Sequence, residues 1–235
     1  MSESIDTRIT PALHPINVQK LESYSDETVG VLAKTESAFA HAYEQLGKVF
    51  DASETVRADP TLTEAAAVLR IADYGDKAFA GMAKRFDDAA ANLKTIVASI
   101  ETELTAPVES KASSTLSAEI RAYAAKLPDG ERISFVRKAI TDGDVRTASA
   151  ILGAPAYLSG LTGDMQAVLT RQFHEHSNPL QAKRLKAAQA GLDLLGERAG
   201  LVFSQIAKAV GTDHKKVARY RAAAAKTAKA FAADT

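Results

Sequence analysis

The residues best suited to do chemistry stand close to the C-terminus. Lys208, His214, Lys215, Lys216, Arg219, Arg221, Lys226 and Lys229 fall within residues 201–235, where seven Lys and Arg face two Asp and Glu. Cations at that density attract phosphates or another polyanion, and each phosphate neutralised releases counterions and steepens the salt dependence. The same cations would suit an acidic protein surface, including one on a second copy of the chain. Two other clusters invite a reading. His174 and His176 flank Glu175, but side chains two apart on a helix point to nearly opposite sides and cannot chelate one ion there. Asp142-Gly143-Asp144 lacks the order of acids and the terminal glutamate of a calcium loop, and reads as a turn between helices. No GxSxG, HExxH, phosphate-loop or dinucleotide fingerprint is present. The expectation is therefore a non-enzymatic protein with no catalytic residues, no metal, no cofactor and no evident small-molecule substrate.

The spacing around the basic residues is specific. With Ile206 in the fourth position of a helix-turn-helix frame, Ala207 falls at the fifth, Gly211 at the ninth, Val217 at the fifteenth and Tyr220 at the eighteenth. The fifth must be small where two helices cross, the ninth favours a positive φ, and the last two must be apolar to seat the second helix. At these positions residues 204–223 resemble the helix-turn-helix of bacterial repressors; Thr212 departs from the pattern, standing where a Val or Ile usually packs. The resemblance implies that Asp213 caps the second helix. His214, Lys215, Ala218 and Arg219 would then face DNA, with Lys208, Lys216 and Arg221 on its backbone. The continuation RAAAAKTAKAF, with Lys226 and Lys229, is similar to linker-histone tails. A plain helical hairpin with a solvated lysine face satisfies the same turn residues.

These residues need elements to position them, and the composition favours helices. Alanine dominates the apolar fraction, aromatics make up 6% of the chain, and Trp and Cys are absent. Small side chains suit closely packed helices, and without cysteine there are no disulfides or thiolate sites. No stretch approaches the length of a membrane span, and the N-terminus lacks the pattern of a secretory signal. A cytoplasmic protein, or one assembled into a phage particle, is expected. The net charge of zero conceals a gradient. Residues 1–107 carry ten Lys and Arg against seventeen Asp and Glu, whereas the last 35 carry an excess of five positive charges.

Read in order, residues 1–23 form a flexible arm and residues 24–106 a long helical hairpin or coiled coil. Ser25 is the expected N-cap of the first long helix. Pro60 ends that helix, and a Thr61–Glu64 capping box opens the next. Seven-residue rows run through Leu32, Phe39 and Leu46, and through Phe79, Phe86, Leu93 and Ile100 beside Met82 and Ile96. They mark a seam that serves either as the core stripe of a bundle or as an oligomerisation surface. Residues 107–116 read as a linker, 117–202 as a compact multi-helix domain and 203–235 as the basic tail. Residues 127–165 faintly resemble uncharacterised helical proteins from phage and prophage structural gene clusters. The fold expectation is all-α: a long antiparallel helical hairpin followed by a compact multi-helix domain. The functional expectation is a homo-oligomeric assembly protein, phage- or prophage-encoded, whose tail meets DNA or an acidic partner. A DNA-binding regulator and, more distantly, an enzyme with an unfamiliar helical site are the alternatives.

Overall fold

The computed structural model describes residues 6–232; residues 1–5 of the expected arm and 233–235 of the tail lie outside them. The chain is all-α. Its helices are α1 (Ile16–Gln19), α2 (Val29–Ala58), α3 (Glu64–Leu104), α4 (Ser114–Lys126), α5 (Asp129–Thr141), α6 (Val145–Leu152), α7 (Gly163–Ser177), α8 (Pro179–Arg198), α9 (Leu201–Val210) and α10 (His214–Ala232). Short 3-10 turns lie at Pro11–Leu13 and Ala156–Leu158, and no strand occurs among the described residues. None of the described helices is long and apolar enough to cross a membrane.

Two compact units emerge, and they divide the chain differently from the sequence reading. Residues 1–94 join 187–235, while residues 95–186 form the second unit. The physical reason is that the C-terminal helices pack on the first long helix, α9 lying against α2, which sequence distance conceals.

In the first unit α2 and α3 run antiparallel. Phe39 and Phe86 meet edge to face, with ring centroids 5.1 Å apart, and Leu32 and Leu93 both close on Gly191 of α8. Each step of seven up α2 is thus matched by seven down α3. Leu32, Phe39, Leu46, Met82 and Leu93 are wholly buried and Phe86 nearly so, with Phe79 half-buried. These positions, read from the sequence as candidates for oligomerisation, are spent inside one chain. Ile96 and Ile100 belong to the second unit, where Ile100 packs with Leu104 and Leu185. The seam is a core stripe because every large residue in it already has an intramolecular partner.

The N-terminal arm is fixed rather than free over its described part. Ile9, Leu13 and Val18 are buried, and α1 packs on α2. The Arg8 guanidinium reaches Asp6 and Asp51 at 2.7 Å and Glu54 at 2.9 Å. That hydrogen bonding to Arg8 holds the Asp6 carboxyl below the ordinary carboxylate range. Three anions around one guanidinium, above buried apolar anchors, tie residues 6–28 down.

Two helix starts also differ from expectation. Ser25 is not an N-cap, because Ser25 donates its amide to the Thr28 hydroxyl (2.9 Å) and α2 begins at Val29. Thr61 does not cap α3 either. Asp59 accepts both its amide and its hydroxyl, at 2.9 and 2.6 Å, so Thr63 caps instead, accepting from the Ala66 amide at 3.2 Å. This shift frees the Glu64 carboxylate from capping.

The second unit wraps α4 to α7 around Val136, Ala148, Ile151 and Leu169. The expected linker contributes to it: Val108 is buried in the same core, and the Lys111 amide donates to Ser149 Oγ at 2.9 Å. Arg132, buried, donates to the carbonyls of Ala124 (3.0 Å), Leu127 (2.6 Å) and Gly160 (2.5 Å), pinning two turns together. Charge-assisted bonds of this kind are the strong ones. In the Asp142–Asp144 turn, Asp144 caps α6 through the Thr147 amide at 3.0 Å. His174 Nε2 lies 2.8 Å from the Ala106 carbonyl, while Glu175 pairs with Arg171 at 2.8 Å.

Candidate polyanion-binding site

The basic tail is built on a turn whose geometry follows from its residues. Gly211 ends α9 with φ +73°, a left-handed conformation that costs a side-chain-bearing residue free energy. The Arg57 guanidinium lies where a Cβ at Gly211 would project. Arg57 donates to the Val210 carbonyl at 2.7 Å, and Ser53 donates to the Ala209 carbonyl at 2.7 Å. Both groups satisfy the open carbonyls at the C-terminus of α9, where a cation is favoured. Asp213 then starts α10, its carboxylate accepting from the Lys216 amide at 2.6 Å.

Apolar contacts seat α10 on this base. Val217 is buried, while Ala207, Thr212 and Tyr220 are half-buried. Ile206 packs so close to Gly75 of α3 that a Cβ there would not fit. A small cavity of about 50 Å³ lies between α3, α9 and α10, lined by Phe79, Ile206, Val217 and Thr212 among others. The position where a larger aliphatic residue was expected is thus the edge of a void.

The eight sequence-predicted site residues divide into two groups. Lys216 Nζ pairs with Glu64 at 2.8 Å, and Arg221 reaches Asp73 and Asp76 of α3 at 2.7 and 2.6 Å. Lys208 donates to the Arg8 carbonyl at 2.8 Å, with its ammonium over the Phe50 ring. His214 stacks on Phe203, centroids 4.6 Å apart and 14° between planes. These four are engaged within the first unit. Lys215, Arg219, Lys226 and Lys229 are exposed, and none has a salt-bridge partner among the described residues. Their spacing of four, seven and three residues puts them on one helix face, about 21 Å long at 1.5 Å per residue.

No family model, curated protein or solved structure matches the chain. The site is therefore read from its own geometry. Every residue from Arg221 to Lys229 is exposed, so this stretch is helical without burying a side chain, as its Ala and Lys content allows. The residues sequence reasoning missed are the acids of α3. Glu64, Asp73 and Asp76 carry no local signal, because their partners lie more than 140 positions away. Lys216 holds the Glu64 carboxyl below its ordinary range, and Glu64 in turn raises Lys216.

Proposed function

We propose that the protein is a non-enzymatic helical scaffold that presents the outer face of α10 to a polyanion, double-stranded DNA in the first instance. The observation that carries this reading is the segregation of cations on one helix. Lys216 and Arg221 spend their charge on the chain's own acids, whereas Lys215, Arg219, Lys226 and Lys229 form an unneutralised stripe along the exposed face of the same helix, opposite the side that Val217 packs. A stripe of four cations suits a row of phosphates, a contact that positions without reading sequence. The side chains between them on that face are alanines such as Ala218 and Ala222, which offer no hydrogen bonds to base edges. In an assembly of phage type, such a face would hold packaged or passing DNA regardless of sequence.

A second reading, a sequence-specific regulator, draws support from the left-handed turn at Gly211 and the cap at Asp213, followed by exposed His214, Lys215 and Arg219. A mobility-shift experiment with several unrelated duplexes separates the two. The scaffold reading expects equal retardation of all duplexes at low salt and loss at high salt. Retention of one duplex against excess competitor would favour the regulator. Retardation of none at low salt would remove DNA from the account.

A further inference from the structure

Far from α10 in sequence, a groove of about 660 Å³ opens between the N-terminal arm, α2 and α3 of the same unit. Its polar lining is His14 from the arm, Ser37, His41, Tyr43 and Glu44 from α2, and Arg85 from α3. Ser37, His41 and Glu44 share one face of α2 by their spacing of four and three. Tyr43 is held in place by the arm, its hydroxyl accepting from the Asp6 amide at 2.8 Å. The His14 ring stands edge-on to Tyr43, centroids 4.9 Å apart. His14 Nδ1 accepts from the Ile16 amide at 3.2 Å, so the neutral ring carries its proton on Nε2 and keeps a donor for a ligand.

We infer that this groove is a binding site for a small organic anion, its phosphate or carboxylate group held by Arg85 and His41 with His14 and Tyr43 at the rim. Among the described residues, neither the Arg85 guanidinium nor the His41 ring has a hydrogen-bond or salt-bridge partner. Glu44, the one carboxylate in the lining, is taken up by Lys48 at 2.6 Å. The groove therefore gathers donors that no hydrogen bond or ion pair occupies among the described residues, within the acidic stretch 1–107. A guanidinium offers paired N–H donors matched to an oxyanion, and the volume lies in the range of small-molecule sites. The charge facing His41 is net positive. Burial first, and then Arg85, hold its pKa below the ordinary 6.5, with Lys48 adding to the effect and Glu44 opposing it. An anion between His41 and Arg85 reverses the second cause, so binding raises the His41 pKa, and protonating His41 tightens binding. The groove is distinct from the polyanion face and stands or falls without it.

The test follows the five histidine rings of the full-length protein by NMR during titration with inorganic phosphate and, separately, with succinate at matched ionic strength. Saturable shifts confined to His14 and His41 are expected, with the His41 pKa rising as the anion binds. A response to phosphate but not succinate assigns a phosphorylated ligand, and the converse assigns a carboxylate. Arg85→Met, an exposed position on α3, leaves the melting temperature unchanged and abolishes the shifts. Equal shifts at all five rings, a response at His214 alone, no saturable response to either anion, or an undiminished response in Arg85→Met overturns the site.

Discussion

The two faces of α10 carry similar residues and spend them differently. On the inner face a lysine and an arginine close ion pairs with α3; on the outer face three lysines and an arginine meet solvent. The difference lies in what faces them, since Glu64, Asp73 and Asp76 of α3 provide counter-charges for one face only. A basic segment is thus not uniformly a binding segment. Its cations divide according to which side of the helix the fold already occupies.

The largest test of this division replaces Lys215, Arg219, Lys226 and Lys229 together with glutamine. Duplex binding at 50 mM salt should fall about a hundredfold or more, measured by fluorescence anisotropy, with the melting temperature unchanged because these side chains are exposed and close no salt bridge among the described residues. Next in size is Gly211→Ala, which strains a positive φ and drives a Cβ toward Arg57. It should destabilise by about 1–2 kcal/mol and lower the midpoint of thermal unfolding, disturbing the seat of both faces. Asp213→Ala removes the cap from the Lys216 amide and should cost about 1 kcal/mol, seen as faster amide exchange in the first turn of α10. The inner face gives a smaller effect. Arg221→Gln should change stability by less than about 1 kcal/mol, as half-exposed ion pairs do, and leave duplex affinity within about twofold.

The helical class and the heptad rows were legible because they depend on local composition and a period of 3.6. The glycine turn and the aspartate cap were legible for the same reason: each is fixed by its own residue and its nearest neighbours. What was not legible depended on the long-range meeting of segments. The hydrophobic rows do not state whether their partner lies in the same chain, and Phe39 facing Phe86 answers that only in three dimensions. Residues 1–23 looked like an arm because Pro11 and Pro15 interrupt the pattern, yet Leu13, between those prolines, and Val18, just after them, reach the core. The capping box failed because Asp59 competes for the Thr61 hydroxyl, a contest between neighbours that the motif alone does not reveal. The groove at Arg85 and His41 has no motif at all; it exists only through the antiparallel register.

Acid provides the finest test of the two faces. The folded-state pKa of Glu64 is depressed by its hydrogen bond from Lys216, below an ordinary value of 4.5. Its contribution is therefore complete above that value and is lost as pH falls through the depressed one. Amide exchange in the first turns of α10 should accelerate below pH 4.5 in the wild type, and Glu64→Gln should show the faster exchange already at neutral pH.

The most direct measurement is the salt dependence of duplex affinity for three proteins: wild type, Arg221→Gln and the four-fold outer-face variant. Four phosphate contacts predict a slope of about −3.6 in log affinity against log salt, shared by wild type and Arg221→Gln and lost with binding itself in the outer-face variant. An outer-face variant that binds with the wild-type slope, or an Arg221→Gln protein whose slope collapses, would contradict the division of α10 into an engaged face and a free one.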